Sequence, residues 1–375
     1  MAVIEVDELY TPTGLIEKAK LTVPSLKEDL WFKSGVYPGF SDCHAHPHVI
    51  DAGLEGGPWR NYVEWMLKRK LRVDEKALRE DLNACTKLSK LTLMLSLLQG
   101  VTLIALTGNF RANLRAVAEL RERPRVVATP TIINMNGWDP LDRILPVLSY
   151  VETLDTEETF KLGIFCHSLK FTRTMEIVKC YRLAENNGLV FALHLSEGVK
   201  ELRELAKLLR LPGRTRIIGV HCIEDEDYKS LGVKVVQCLS SNLTLYGRTQ
   251  KNLELVESFG SDWPLIFGGF FEEIVKALKL HGQKNTYKIL EKASIGGYRL
   301  YGVEHGNDYI FFDEKLEKAL RLKILPSYVF VRGRATVVEG LIGNFNYDSL
   351  RKIVETYKEF LLEKYSSEGS SKWRR

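Results

Sequence analysis

The stretch that decides the fold reads Pro38-Gly39-Phe40-Ser41-Asp42-Cys43-His44-Ala45-His46. In it, an apolar, strand-like run leads directly into two histidines that lie two residues apart. Because successive side chains of a strand alternate between its faces, His44 and His46 project from the same side, close enough for one metal ion to take a nitrogen from each. His48 continues the spacing, but Pro47 ends the strand before it, so His48 ranks below the other two as a ligand.

Two further histidines follow predicted strands in the middle of the chain. Residues 188–197 read as a strand that ends in His194, with Glu197 three residues later, and residues 216–222 as a strand that ends in His221. In a barrel of parallel strands such ends meet at one mouth, where three imidazoles suit zinc and leave a position open for water. Glu197 is the predicted proton carrier beside that water. The alternatives are hydrogen-bonded core histidines and an acid favoured by the first turn of a helix.

Short apolar runs alternate with amphipathic ones through most of the chain. Strands are predicted near residues 36–44, 99–106, 125–133, 162–169, 189–195, 215–221, 233–238 and 264–269. Eight strand and helix alternations predict an α/β fold, a closed (β/α)8 TIM barrel over residues 36–302, with a doubly wound open sheet as the alternative.

The two ends of the chain have a different pattern from the middle. Residues 1–35 and 303–345 contain short strand-like and hairpin-like pieces, which predict a small accessory β domain built from both ends. Residues 346–366 have the apolar spacing of a final helix. Residues 367–375 predict a flexible tail, in which Lys372, Arg374 and Arg375 form a mildly basic cluster.

Composition narrows the class of protein. The chain has 375 residues, and 53 Lys and Arg against 48 Asp and Glu leave a net charge of +5, spread along the helices, which does not suggest a nucleic-acid partner. No run approaches the ~18 apolar residues of a membrane span. Six cysteines without a secretory leader favour reduced thiols and a cytoplasmic location. The sequence leaves open whether the protein is a homo-oligomer.

The opening stretch resembles the first barrel strand of the amidohydrolase superfamily, and other segments are similar to its cytosine deaminase and chlorohydrolase-like branch. These segments are residues 184–197, Gly219-Val220-His221-Cys222, Gln237–Leu245 (where the branch has Cys-Pro-x-Ser-Asn), 292–302 and 307–313. Together they reach from Pro38 to about Gly340, most of the chain.

The resemblance implies a function and a site. It implies hydrolytic removal of an amine, or another ring substituent, from a small nitrogen heterocycle, which is a hydrolase reaction on a carbon–nitrogen bond other than a peptide bond. One divalent metal ion, zinc or alternatively iron, is expected. By likeness, the site residues are His44, His46 and His194 as metal ligands, His221 to orient water, Glu197 to shuttle protons, and His167 and Asn242 to contact substrate.

Tryptophans in the loops and helix starts that follow strands one and three are candidates to line an apolar pocket. Trp59 is the one assigned to substrate binding, beside Trp65 and Trp138, and core packing is the alternative for at least one of the three.

One departure from the family bears on activity. The family places Gly-Thr-Asp at the end of strand eight, whereas a strand at 264–269 puts Phe270 where the aspartate should be and Asp262 at the opposite end. Phenylalanine can neither bind a metal nor accept a proton. Glu272 is a possible replacement acid. The alternative function is therefore a catalytically impaired barrel that acts as a ligand-binding or assembly protein, and a third reading is a two-metal site bridged by carbamylated Lys170.

Overall fold

Strands and helices alternate through the middle of the chain in the computed structural model, which describes residues 2–23, 26–135, 137–138, 141–152, 160–212 and 216–367. The strands are β1 (Ala2–Thr11), β2 (Gly14–Val23), β3 (Leu30–Val36), β4 (Phe40–Ala45), β5 (Val101–Leu106), β6 (Arg125–Ala128), β7 (Thr131–Ile132), β8 (Phe160–Cys166), β9 (Val190–Leu195), β10 (Ile217–His221), β11 (Val233–Gln237), β12 (Val256–Phe259), β13 (Tyr309–Phe312), β14 (Tyr328–Val331) and β15 (Arg334–Val337). The helices are α1 (Tyr62–Lys68), α2 (Glu75–Glu80), α3 (Leu82–Leu98), α4 (Phe110–Glu119), α5 (Leu141–Glu152), α6 (Thr174–Asn187), α7 (Leu202–Leu209), α8 (Leu239–Tyr246), α9 (Pro264–Phe267), α10 (Phe270–His281), α11 (Thr286–Glu291), α12 (Gly297–Tyr301), α13 (Leu316–Leu322) and α14 (Tyr347–Lys364).

The central strands form a parallel barrel in the order β12-β11-β10-β9-β8-β6-β5-β4, with β7 paired to β8. Most residues of these strands are buried, on one face by the barrel interior and on the other by the surrounding helices, which is why most of the strands are largely apolar. Full burial of each Val, Leu, Ile or Phe side chain stabilises the fold by ~1.5–3 kcal/mol. The predicted TIM barrel is confirmed, and the open sheet is excluded.

The barrel closes between its first strand and the segment that follows its last strand. The backbone N–H of Asp262 donates to the carbonyl of His44 at 2.8 Å, and the N–H of His46 donates to the carbonyl of Asp262 at 2.6 Å. Closure therefore fixes Asp262 in register with the two histidines of the opening stretch.

The predicted position of the eighth strand is wrong, although the other seven lie where the sequence places them. Pro264–Phe267 forms the short helix α9, because Pro264 occupies its first turn, a position that proline favours, and Gly268 ends it with φ 90°. The eighth strand is β12, eight residues earlier. Asp262 thus follows the strand, whereas the sequence interpretation placed it before the strand.

A separate six-stranded sheet combines both ends of the chain in the order β15-β14-β13-β3-β1-β2, which confirms the accessory sheet. Helix α14 packs on the outside through Leu350, Val354 and Leu361, all buried. The basic cluster at Lys372, Arg374 and Arg375 lies outside the described residues. Among those described, no helix is both long and apolar enough to cross a bilayer.

Candidate metal centre

Three histidines and one aspartate converge at the mouth of the barrel. The Nε2 atom of His194, at the end of β9, lies 3.1 Å from Nε2 of His44 and 3.4 Å from Nε2 of His46. Oδ1 of Asp262 lies 3.6 Å from Nε2 of both His44 and His46. All four side chains are buried.

These spacings fit a single small cation. Four ligands at the Zn–N and Zn–O bond lengths of ~2.0–2.2 Å, placed at tetrahedral corners, lie about 3.3–3.6 Å from one another. The four distances between donor atoms given above fall within or close to that range. The described residues therefore include a buried donor set able to hold one divalent metal ion, and this set contains the three histidines expected to be ligands.

A hydrogen bond at Nδ1, the ring nitrogen that faces away from the other donors, orients His46. Thr107, after β5, donates its hydroxyl hydrogen to the carbonyl of Ala45 at 3.1 Å and contacts Nδ1 of His46 at 2.8 Å. Because that hydroxyl has only one hydrogen, Nδ1–H of His46 is the donor, and Nε2 keeps the lone pair that a metal requires.

Electrostatics keep these imidazoles neutral. Burial lowers the pKa of His44, and it lowers the pKa values of His46 and His194 well below their ordinary value, with neighbouring imidazoles adding to the effect. Burial alone would raise the pKa of Asp262, but its contact with His44 and the nearby His221 hold that pKa below the usual range. Neutral nitrogens and an ionised carboxylate are the protonation states in which these groups bind metals.

Asp262 owes its position to the two residues before it. A Cβ atom at Gly260 would lie 2.7 Å from Cβ of His44, so only glycine allows this close approach between the first and last strands. Ser261 donates from its backbone N–H and its hydroxyl to the carboxylate of Asp42, at 2.9 and 2.6 Å.

The sequence interpretation missed Asp262, although a signal was present. Gly260-Ser261-Asp262 differs from the expected Gly-Thr-Asp only in serine for threonine. The run at Trp263–Phe267 is more apolar than β12, so it had the stronger strand signal.

Phe270, which the sequence interpretation placed at the position of the aspartate, and Glu272, its possible replacement, both lie outside the site. Phe270 is fully buried at the first position of α10. Glu272 is half-buried and pairs with Lys323 at 2.7 Å, because its place in the first turn of α10 directs it away from the barrel mouth. The assignment of Glu272 as a replacement acid is therefore corrected.

A second group of side chains adjoins the four donors. Nε2 of His221, at the end of β10, lies 3.8 Å from Oε1 of Glu197. The hydroxyl of Tyr246 donates to the same Oε1 at 2.5 Å, and burial raises the pKa of Glu197. Nδ1–H of His221 donates to Oδ1 of Asn242 at 2.7 Å, which directs Nε2 toward Glu197.

The cavity above the donors includes some of the predicted substrate contacts and excludes others. Its lining includes His167, Tyr62, Trp65, Trp138 and Trp263, with Arg69 and Arg79. Asn242 is fully buried behind His221 and holds that ring without lining the cavity. Trp59 packs on a cluster of buried residues beside the cavity, since the loop before α1 turns it away.

Lys170 is exposed and lies 3.4 Å from Glu204, which leaves it outside the donor set. A bridging carbamate at this residue is not consistent with that position.

Comparison with known proteins shows three solved structures with the same fold. An adenosine deaminase from Xanthomonas campestris with bound zinc has a TM-score of 0.76 at 16% identity, over 96% of this chain and 98% of that chain. An atrazine chlorohydrolase from Arthrobacter aurescens TC1, complexed with zinc, gives 0.74 at 14% identity, over 96% and 100%. A guanine deaminase from C. acetobutylicum with bound guanine gives 0.71 at 16% identity, over 89% and 99%.

No protein-family model and no curated protein matches the sequence. At these identities the three structures establish a shared fold across nearly the whole of both chains.

Proposed function

We propose that this chain is a zinc-dependent aminohydrolase of the amidohydrolase superfamily, in its cytosine deaminase and chlorohydrolase-like branch. Its reaction is hydrolytic removal of an amine, or a comparable leaving group, from a nitrogen heterocycle. The observation that carries the proposal is the position of Asp262, whose Oδ1 lies 3.6 Å from Nε2 of both His44 and His46. The names of the structural neighbours, two deaminases and a chlorohydrolase, agree with it.

His44, His46, His194 and Asp262 would hold the metal ion. When bound, zinc lowers the pKa of a coordinated water to ~7 and polarises the bond under attack. His221 faces the same place from β10, and its Nε2 accepts a hydrogen bond from water because its Nδ1–H is engaged by Asn242.

Glu197 is the proton carrier. Hydrolysis adds the water oxygen to a ring carbon and breaks the carbon–nitrogen bond, so the leaving nitrogen must gain a proton. The carboxylate of Glu197 takes up one proton from water and delivers it to that nitrogen. The second water proton passes to the adjacent ring nitrogen, and the products are a ring carbonyl and ammonia. Its burial, which raises its pKa, favours the protonated form that makes the delivery.

The alternative of a barrel without catalysis depended on an absent strand-eight carboxylate. Since Asp262 lies beside the histidines, that reason no longer applies. The two-metal alternative has no support from Lys170, which is exposed.

The proposal is tested by zinc analysis of the purified chain and by ammonia release from a panel of aminated pyrimidines, purines and triazines. About one zinc per chain is expected, with turnover of at least one compound. Glu197→Gln should keep the zinc and reduce turnover by about 10²–10⁴-fold, and His194→Ala should lose both.

Two matched controls, Glu272→Gln and His305→Ala, change the same residue types outside the site and should leave zinc content and turnover unchanged. Protein that holds no metal after growth in zinc-supplemented medium would refute the proposal, as would full turnover by Glu197→Gln.

A further inference from the structure

Two arginines line the same cavity as the metal-facing histidines. Arg69 is the residue that ends α1, and Arg79 lies in α2, both in the long connection after the first barrel strand. Their side chains are only 9% and 15% exposed. Two guanidinium groups are therefore held at the edge of a largely buried cavity, where an uncompensated charge is costly.

The negative charge near these arginines is insufficient for both. Each donates to the same oxygen, Oε2 of Glu75, Arg69 at 2.8 Å and Arg79 at 2.7 Å. Across the described part of the chain, no other carboxylate hydrogen-bonds to either guanidinium. One negative charge therefore serves two positive charges.

Three other carboxylates line the cavity: Glu197 and Asp262 lie beside the metal-facing histidines, and Asp51 lies in the loop before α1. The bonds of Asp51 point elsewhere. Its oxygens accept from the backbone N–H of Gly53 at 3.0 Å and of Arg72 at 2.6 Å, and the Arg72 side chain lies 3.9 Å away. Asp51 is thus committed to its own loop, so among the described residues Glu75 remains the one carboxylate that hydrogen-bonds to the two arginines.

Aromatic rings hold both guanidinium groups in place. The Cζ atom of Arg69 lies 4.7 Å from the centre of the Trp65 ring, and that of Arg79 lies 4.3 Å from the centre of the Trp138 ring. Trp65 in turn packs on Trp263, the residue after Asp262, with ring centres 5.4 Å apart. Cation–π contact uses the face of a guanidinium and leaves its N–H edges free for a ligand.

We propose that the substrate carries an oxyanion, a carboxylate or a phosphate, that Arg69 and Arg79 bind while its ring lies among the tryptophans. Planar guanidinium groups form paired, charge-assisted hydrogen bonds with such groups, and a bound oxyanion gives the arginine pair a second anionic partner beside Glu75. This inference names the substrate class of the proposed aminohydrolase and rests on that function. A neutral heterocycle would leave the second arginine without an anionic partner.

The test compares matched ligands that differ in charge. Zinc-loaded full-length protein is titrated calorimetrically with 6-aminonicotinate against 6-aminonicotinamide, and with adenosine and cytidine 5′-monophosphates against the free nucleosides. The first comparison probes a carboxylate and the second a phosphate. In at least one pair, the oxyanionic member should bind about tenfold or more tightly than its neutral partner.

The variants Arg79→Gln and Arg69→Gln should reduce that ratio to about threefold or less while zinc content is retained. Arg60→Gln is the matched control, because Arg60 is 82% exposed and pairs with Glu64 outside the cavity, and it should keep the ratio. If both variants misfold, the wild-type protein alone provides a test. Raising the salt concentration from about 50 to about 500 mM should weaken binding of the oxyanionic ligand and leave the affinity for its neutral partner unchanged.

Equal or tighter binding of every neutral member overturns the inference, as does failure of all these ligands to bind or an unchanged ratio in both folded arginine variants. The proposed function is judged separately by ammonia release. Deamination of neutral compounds without a preference for oxyanions would support the proposed function and refute this inference. Arginine-dependent binding of oxyanions without ammonia release would support this inference and refute the proposed function.

Discussion

The imidazoles at the barrel mouth are oriented by neutral hydrogen-bonding partners behind them. Thr107 accepts from Nδ1–H of His46, and Asn242 accepts from Nδ1–H of His221. Each bond selects the tautomer whose Nε2 carries a lone pair toward the centre of the site. Both partners are buried and neither lines the cavity above the donors, so their contribution is to position the rings.

Replacing Thr107 by valine keeps the side-chain shape and removes the oxygen that accepts from His46. We expect Thr107→Val to weaken zinc binding by about 10–100-fold, because the ring loses its fixed tautomer and orientation. Competition against a chelator of known affinity measures this change. Thr86→Val, which removes a buried hydroxyl that bonds only to Leu82 within α3, should leave zinc affinity unchanged, and equal affinities of the two variants would contradict the assigned role.

At the scale of elements, the approach of the last strand to the first decides whether the site forms. Gly260 lies at this junction, and an added Cβ atom would also lie 3.0 Å from the backbone N and O of His44. We expect Gly260→Ala to destabilise the fold by about 1–3 kcal/mol and to abolish zinc binding, since the strand ends must separate. Unfolding in urea and zinc analysis measure the two effects.

Gly188→Ala serves as the control for that substitution. Gly188 ends α6 with φ 63° and has open space around it, so alanine there should cost about 1 kcal/mol from backbone strain alone and leave zinc content intact. Retention of zinc by Gly260→Ala would contradict the account of the junction.

Helices α8 and α10 are joined by a buried carboxylate. Glu273 accepts from the backbone N–H of Ser240 at 3.1 Å and also from its hydroxyl, and burial raises the pKa of Glu273 to about 7. Because this folded-state pKa exceeds the unfolded value of about 4.5, the stabilising contribution is complete below pH 4.5 and is lost as the pH rises to about 7. Ionisation of Glu273 therefore destabilises the folded state because the charge is buried, although the hydrogen bonds from Ser240 favour the ionised form.

The variant Glu273→Gln imitates the protonated acid and should remove this pH dependence. Relative to wild type, we expect equal stability near pH 4.5 and a gain of up to about 3 kcal/mol above pH 7. Urea unfolding at pH 4.5 and pH 8 measures the difference. Glu272→Gln, a neighbouring substitution at a half-buried residue paired with Lys323, should show no such gain. A pH-independent difference for Glu273→Gln would contradict the interpretation.

The sequence predicted the elements whose signal is local. The His44 and His46 pair, and the strand ends at His194 and His221, each show within about ten residues that a polar group follows an apolar run. Strand β12 has only four residues, and Glu257 interrupts its apolar character, so its signal was weaker than that of the apolar helix α9 next to it. The error over Asp262 followed from that single displacement.

For the whole molecule, the alternation of strands and helices was sufficient to predict the barrel and the accessory sheet. The cavity walls were not predictable in the same way. The cavity is lined by Arg69 and Arg79 from the long connection after β4, and by Trp263 from the segment after β12. These segments meet only when the barrel closes, so no periodic sequence pattern relates them. The residues that would determine substrate specificity can therefore be identified only from the structure. The metal ligands at the ends of strands can largely be predicted from the sequence.

One metal ion is expected to lie among ligands from the first, fifth and eighth strands of the barrel. Anomalous diffraction at the zinc edge, from crystals of zinc-loaded protein, locates this ion. We expect a single strong peak within about 2.0–2.2 Å of Nε2 of His44, His46 and His194 and of a carboxylate oxygen of Asp262. A zinc-loaded crystal with no peak there, or with its peak away from Asp262, would contradict this expectation.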